Sequence, residues 1–215
     1  VGINNLRLQV NSGLENPVDN WRRFTDGTIG YAEMKRHLYE VVNDNDDPFV
    51  ADPAGFSFHA LDQHVTHVLL PMQRRLAARG ERLYVTLTFT DFNWTAGQTQ
   101  LELADHPEEY AEFIAVMFDR LDKVHGVVPD ALEIILEPDN TDRWRGDTIG
   151  RAISAVTARL AAAGHAPAII APSTSKARQS LDYYRALRAT GARVDMLAYH
   201  RYDRRSAEHL ARIAR

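Results

Sequence analysis

The sequence predicts an α/β fold in which strands and helices alternate along the chain. Five short apolar segments have the length, and the β-branched or alternating composition, of strands. Each is followed, directly or after a loop, by a segment whose apolar residues recur at helical spacing. Such alternation implies parallel strands joined by right-handed crossovers, either in an open doubly wound sheet or in part of an eight-stranded barrel.

Composition fits one such domain. The 215 residues are 45% hydrophobic, which suits a single α/β domain with a sizeable core. A net charge of -4 gives no general attraction for nucleic acid, so no nucleic-acid partner is expected. No apolar run approaches the roughly 18 residues of a membrane span, and no signal-peptide pattern opens the chain, so localisation stays open. The absence of cysteine excludes disulfides.

The first strand is predicted at Asn5–Asn11, where apolar and polar residues alternate. In a barrel the apolar set would face the helices and the polar set the interior. Three polar residues on the interior side, Arg7, Gln9 and Asn11, fit a binding site better than a packed core.

A long loop insertion follows at about residues 12–58, whereas βα connections usually have about 2–6 residues. Residues 31–42 can form a helix inside it. Its aromatic residues either make a wall around a substrate or form the loop's own small core. They are Trp21, Phe24, Tyr31 and Tyr39.

The other elements follow in regular order. Strands are predicted at residues 83–90, 131–137, 168–172 and 194–199. Helices are predicted from about His59 to Arg79, from Pro107 to a stop at Gly126, from an Asp147 cap to Gly164, around 181–191, and from Ser206 onward. His59, His64 and His67 lie in the first of these helices. They are interpreted as ordinary helix residues, because no acidic partner completes a metal-binding spacing such as H-E-x-x-H.

Polar and aromatic residues gather where the predicted strands end. Pro138 cannot donate to a sheet ladder, so the strand at residues 131–137 should stop at Glu137. The other such residues are Asp91, Asn93, Trp94, Asn140, His200 and Tyr202. A barrel places its catalytic groups at these C-terminal strand ends, and no G-x-G-x-x-G follows the first strand to support a dinucleotide fold. The pattern favours the barrel.

Strand phase predicts that side chains from several strands meet at one cavity. Those expected to converge are Arg7, Asn11, Asp91, Glu137 and His200. Arg7 and Glu133 share the interior phase lower in the sheet, so the two are expected to form an ion pair.

Three short motifs resemble those of clan A glycoside hydrolases, retaining (β/α)8 enzymes that include β-xylosidases, β-glucosidases, cellulases and glucosylceramidase-like proteins. E-I-I-L-E-P-D-N at residues 133–140 is similar to the E-I-x-N-E-P signature after their fourth strand. L-R-L at residues 6–8 resembles their second strand, and A-Y-H-R-Y at residues 198–202 resembles their sixth. The resemblance implies a parallel (β/α)8 TIM barrel that is incomplete here. Residues 1–215 would form part of its catalytic domain, about strands two to six with their helices.

The resemblance implies hydrolysis of O-glycosidic bonds in a carbohydrate or glycoside substrate by a retaining two-carboxylate mechanism, without a cofactor. Glu137 would be the general acid/base, and the nucleophile would be a glutamate beyond residue 215. Residues 1–215 alone are therefore expected to be inactive and poorly stable. Together with strand-end placement, the resemblance assigns substrate binding to Arg7, Asn11, Asp91, Asn93, Trp94, Asn140, His200 and Tyr202.

The motif departs from the family pattern at Leu136, where the family has the asparagine that hydrogen-bonds the sugar 2-hydroxyl. Two alternative functions stay open. The first is a non-catalytic carbohydrate-binding or structural barrel, which the leucine suggests. The second is a metal-dependent barrel enzyme with Glu137, Asp91 and His200 as ligands.

Overall fold

The computed structural model describes residues 2–92, 99–203 and 206–214. Within these ranges five strands form one sheet in the order β1-β2-β3-β4-β5, and every neighbouring pair is parallel. The strands are β1 (Asn5–Asn11), β2 (Tyr84–Thr90), β3 (Ala131–Glu133), β4 (Ala168–Thr174) and β5 (Met196–Tyr199). A doubly wound sheet reverses its strand order at a switch point, so strictly sequential order confirms the barrel-like alternative.

The helices fill the connections between strands. The long connection after β1 contains α1 (Asn20–Thr25), α2 (Tyr31–Arg36), α3 (His59–His64), a π-helical segment (Val65–Leu69) and α4 (Leu70–Ala77). The later strands are followed in turn by α5 (Pro107–His125), α6 (Gly146–Ala162), α7 (Ala177–Ala189) and α8 (Ser206–Ile213). None of the helices in the described ranges has the length and apolarity of a membrane span.

The main core lies between the helices and one face of the sheet. Leu8 and Val10 of β1 are buried there, beside Leu87 and Phe89 of β2. One face of α5 is fully buried, and its residues are Tyr110, Phe113, Ile114, Met117, Phe118 and Leu121. Gly126 ends that helix in the left-handed conformation, at a φ of 63°, as the sequence predicted.

The opposite face of the sheet is polar. Thr88 is fully buried on this face, and its hydroxyl donates to Glu133 Oε2 over 2.7 Å. Arg7 Nη1 lies 3.5 Å from the same carboxylate oxygen, which confirms the expected pairing of Arg7 with Glu133. The Glu133 side chain is 4% exposed and that of Arg7 is 48% exposed, so solvent competes for the guanidinium.

The third strand is shorter than predicted, since β3 ends at Glu133 instead of Glu137. The carbonyl of Ile134 accepts a hydrogen bond from the Tyr110 hydroxyl over 2.7 Å, so a side chain of α5 takes the place of a strand partner. The backbone then turns between its neighbours, because Leu136 N–H donates to Phe89 O and Glu137 N–H to Ser173 O. This irregular path sets the position of Glu137.

Two helix predictions also need correction. The helix expected at residues 31–42 ends at Arg36, because the following chain packs against the Gly13 backbone, where an added Cβ would lie 2.5 Å from His37 O. The helix expected to be capped by Asp147 begins at Gly146, with Arg145 at the cap position. Asp147 lies in the first turn, where its carboxylate pairs with Arg151 over 3.2 Å.

Candidate active site

The turn after β3 holds Glu137 by its backbone. Glu137 has left-handed dihedrals (φ 52°, ψ 55°), an uncommon conformation for a residue with a side chain. Its N–H donates to Ser173 O over 3.0 Å, and a 3-10 turn (Pro138–Asn140) follows directly. This turn brings Asn140 back toward the carboxyl group, so that Asn140 Nδ2 donates to Glu137 Oε2 over 2.9 Å.

The chain after β5 brings an imidazole to the same carboxyl group. His200 Nδ1 lies 2.5 Å from Glu137 Oε1, which requires one proton between the two atoms. The two side chains are 25% and 16% exposed, so the pair is largely withdrawn from water but still accessible. The ring of Tyr202 meets His200 edge-on, with 5.6 Å between the ring centroids, and Tyr202 is 74% exposed.

Residues 173–176, at the end of β4, make backbone hydrogen bonds with both Glu137 and His200. His200 N–H donates to Thr174 O over 2.7 Å, on the opposite side from the Glu137 contact to Ser173 O. Asp139 fixes the same segment, since its carboxylate accepts from Ser175 N (2.5 Å), Ser175 Oγ (2.8 Å) and Lys176 N (3.2 Å). Asp139 and Ser175 were not among the predicted site residues. The signal was present, because an aspartate directly after a proline in a turn commonly accepts nearby backbone N–H groups.

Asp91 is a buried link between two loops. Its side chain is inside the protein, since the residue is only 4% exposed. One carboxylate oxygen accepts from Ser12 Oγ over 2.9 Å and the other from Trp144 Nε1 over 3.0 Å. Asp91 thus joins the chain after β1 to the chain after β3. Among the described residues no group of three or more His, Asp or Glu side chains is placed to hold a metal ion, so the suggested Glu137, Asp91 and His200 ligand set is not assembled.

Two further predicted residues, Arg7 and Asn11, have surroundings of their own in the fold. Arg7 lies on the polar face of the sheet in its pair with Glu133. Asn11 lines a separate cavity of about 220 Å³ beside the long connection after β1. Of the five side chains expected to share one cavity, Glu137 and His200 meet as predicted, and the convergence of Arg7, Asn11 and Asp91 with them stays a prediction.

Four of the predicted residues are brought together: Glu137, Asn140, His200 and Tyr202. Asn93 and Trp94 lie outside the described residues. The substrate-binding roles assigned to these residues remain predictions, and so does the catalytic role of Glu137.

Fold and site together define a segment of a parallel (β/α) barrel whose carboxyl–imidazole pair lies at the C-terminal ends of the strands. No family model matches the sequence, and no curated protein matches it. The fold does match solved structures of glycoside hydrolases. With the catalytic domain of the glycoside hydrolase family 30 xylanase C from Talaromyces cellulolyticus, the TM-score is 0.52 at 12% identity, over 92% of this chain and 43% of the xylanase chain. This likeness confirms the partial TIM-barrel fold.

Two family 39 structures are also similar. A β-xylosidase from Caulobacter crescentus has a TM-score of 0.47 at 14% identity, over 97% of this chain and 48% of its own. The family 39 enzyme from Xanthomonas axonopodis pv. citri has a TM-score of 0.40 at 14% identity, over 91% of this chain and 40% of its own. TM-scores below 0.5 add no weight to the fold assignment. The chain spans less than half the length of each of these three structures.

Proposed function

We propose that the protein containing these residues is a retaining glycoside hydrolase in which Glu137 is the general acid/base. The contact that supports this most strongly is the 2.5 Å approach of His200 Nδ1 to Glu137 Oε1. It lies at the C-terminal ends of parallel strands, where barrel enzymes carry their catalytic groups. The substrate would be a carbohydrate or glycoside, and xylosides are the first to test, because two of the structural neighbours are named for xylan or xyloside chemistry.

In the first step of such a mechanism, Glu137 protonates the glycosidic oxygen while a carboxylate attacks the anomeric carbon. Asn140 donates to Oε2, so the transferable proton belongs on Oε1, the oxygen that faces His200. Glu137 can carry this proton when His200 Nδ1 is the acceptor and Nε2 holds the ring hydrogen. The glycosidic oxygen then competes with Nδ1 for the proton. In the second step Glu137 takes a proton from the attacking water.

The nucleophile would be a second carboxylate about 5–5.5 Å from Glu137. By the resemblance to clan A, this carboxylate would belong to a glutamate beyond residue 215. For this reason the 215 residues alone are expected to turn over no glycoside, whereas the full-length protein is expected to do so.

Leu136 supports a second candidate, a barrel that binds carbohydrate without hydrolysing it. The residue before the acid/base donates to the sugar 2-hydroxyl in the family pattern, and leucine has no donor. This candidate predicts sugar binding by the full-length protein with no turnover.

The test compares Glu137→Gln with Glu108→Gln in the full-length protein. Glu108 is an exposed carboxylate in the first turn of α5, so it controls for the same chemical change. With a phenyl β-xyloside, whose leaving group needs protonation, Glu137→Gln should lower kcat by about 10²–10⁴-fold. With a 2,4-dinitrophenyl β-xyloside the first step should be far less affected.

The proposal is wrong if Glu137→Gln matches Glu108→Gln on the phenyl substrate. If the unmodified protein binds xylosides but hydrolyses neither aryl xyloside, the non-catalytic candidate is correct.

A further inference from the structure

The cavity beside β1 is formed where the first strand meets its long connection. Asn11, the last residue of β1, lines it together with Trp21 of α1 and His64 of α3. Its volume of about 220 Å³ is small, although it combines apolar walls with convergent polar groups in the way that ligand sites do. Apolar walls come from residues such as Leu14, Met34 and Leu38.

Several polar side chains around this cavity have no hydrogen-bond partner among the described residues. Asn11 and Ser57 are half-buried, and His64 is exposed at the edge. Within the described part of the chain, none of these three side chains makes a hydrogen bond. In contrast, the other imidazole of the lining, His37, is bonded at one ring nitrogen to Glu33 and at the other to Glu40. Hydrogen-bond donors and acceptors that are unbonded and line the same cavity are suited to a ligand with hydroxyl groups.

Trp21 is held in a fixed orientation. Its indole N–H donates to Gln63 Oε1 over 2.8 Å, and its ring packs against Phe24 at 5.9 Å and edge-on against His64 at 6.2 Å between centroids. An indole positioned in this way provides a rigid aromatic surface at low entropic cost on binding. Of the aromatic residues in the loop insertion, Trp21 therefore lines a cavity, whereas Phe24 packs behind it and does not.

The position of the cavity separates it from Glu137. Strands in a sheet lie about 4.8 Å apart, so the end of β1 is roughly 10 Å from the end of β3, with β2 between them. Both strand ends lie at the C-terminal edge of the sheet. A ligand that reached both places would need more than one sugar ring.

We propose that this cavity binds one neutral sugar unit of an oligosaccharide, in a subsite separate from the position at Glu137. No aspartate, glutamate, lysine or arginine lines the cavity among the described residues, which favours an uncharged ligand. The aromatic face of Trp21 and the open amide of Asn11 are suited to the apolar face and the hydroxyl groups of a sugar ring. The inference rests on the proposed function and specifies its substrate class as oligosaccharides.

The experiment compares Trp21→Ala with Phe49→Ala, the loss of an exposed ring in the same connection that does not line the cavity. Binding of xylobiose and of cellobiose is measured by titration calorimetry on full-length protein that also carries Glu137→Gln, so that no turnover interferes. Trp21→Ala should weaken binding of at least one of the two about tenfold or more, and Asn11→Ala should weaken it several-fold. Trp21→Phe, which keeps an aromatic face, should restore most of the affinity, and Phe49→Ala should change it little.

Steady-state kinetics provide a second measurement, which would not change in the predicted way if Trp21 had only a structural role. Trp21→Ala should raise KM for an aryl xylobioside and leave kcat/KM for an aryl xyloside unchanged. Equal effects of Trp21→Ala and Phe49→Ala would overturn the inference, and so would equal losses on the monosaccharide and disaccharide substrates. Absence of binding of both disaccharides to the Glu137→Gln protein would also overturn it, since the cavity would then hold only water or another part of the protein. Because these binding measurements need no catalysis, failure of the subsite and failure of the Glu137 mechanism give different results.

Discussion

The two ends of the C-terminal edge of the sheet differ in how their polar side chains are satisfied. At the ends of β3 and β5, Glu137 accepts from Asn140 and contacts His200, and Asp139 accepts three hydrogen bonds from residues 175 and 176. At the end of β1, Asn11 lines a cavity without a side-chain partner in the described ranges. Asp91, buried between the two, joins them through Ser12 and Trp144.

This difference is the one expected between a group that transfers a proton and a group that binds substrate. A group that must transfer a proton has to be positioned before substrate arrives, because misplacement is costly in rate. A group that binds substrate can remain open until the ligand supplies its partner. We therefore expect substitutions near Glu137 to lower kcat, and substitutions around the β1 cavity to raise KM for longer substrates.

Apart from changes to Glu137 itself, the largest effect is expected for Asp139→Asn, which would place an amide against the N–H and hydroxyl groups of residues 175 and 176. Release of this segment should move His200 relative to Glu137. Activity should then fall on the order of 10–100-fold in kcat, with KM little changed and with a shifted pH profile. The control is Asp142→Asn, an exposed aspartate in the same loop. Similar kinetics and pH profiles for the two variants would show that Asp139 does not position the pair.

Asp91→Ala tests whether Asp91 stabilises the fold by joining Ser12, after β1, to Trp144, after β3. It would leave the buried Ser12 hydroxyl and the Trp144 indole N–H without their acceptor. The free energy of unfolding should fall by about 2–3 kcal/mol in a denaturant titration, and KM for a monosaccharide glycoside should hardly change. Asp105→Ala, at an exposed site, is the control. A rise in KM of tenfold or more without loss of stability would instead support the predicted contact between Asp91 and substrate.

The free energy of unfolding should also depend on pH through Glu15, which lies shortly after β1. Burial raises the pKa of Glu15 from 4.5 to about 8, and the neighbouring carboxylates of Asp44, Glu109 and Glu112 act in the same direction. The folded state therefore binds this proton more tightly than the unfolded chain, so the free energy of unfolding should fall as pH rises from about 5 to about 8. Glu15→Gln should reduce this fall by about 3 kcal/mol, as measured by denaturant unfolding at pH 5.5 and 8.5, whereas Glu108→Gln should not. Stability that is constant or rises over this range in the unmodified protein would contradict the expectation.

The smallest effect concerns Leu136. An asparagine there could donate to the sugar 2-hydroxyl, so Leu136→Asn should raise kcat/KM on ordinary glycosides about fivefold, the equivalent of about 1 kcal/mol. Leu136→Met, which stays apolar, should not. The unmodified protein should lose little on a 2-deoxy glycoside, unless Asn11, Asn93 or Asn140 supplies the donor. A large 2-deoxy penalty that persists after all three asparagines are changed would contradict this explanation.

The sequence was most informative where local pattern decides structure. Alternating elements predicted the parallel sheet, and the placement of Glu137 and His200 after their strands predicted that the two side chains would meet. The sequence was less informative where contacts between distant parts of the chain determine the structure. The early end of β3 depends on the hydroxyl of Tyr110 in α5. No local sequence motif predicts this role for Tyr110. The Asp91 link likewise joins residues 12, 91 and 144, and its buried partners become visible only when three loops are placed together.

The most direct test of the role of Glu137 is azide rescue of Glu137→Ala in the full-length protein. With a 2,4-dinitrophenyl β-xyloside, the glycosyl-enzyme should form without acid catalysis and then accumulate, because no base activates water. Azide needs no base, so the rate should rise with azide concentration and the product should be a glycosyl azide with retained β configuration. If azide changes neither rate nor product, or if the azide product has the inverted configuration, then Glu137 is not the acid/base of a retaining hydrolase.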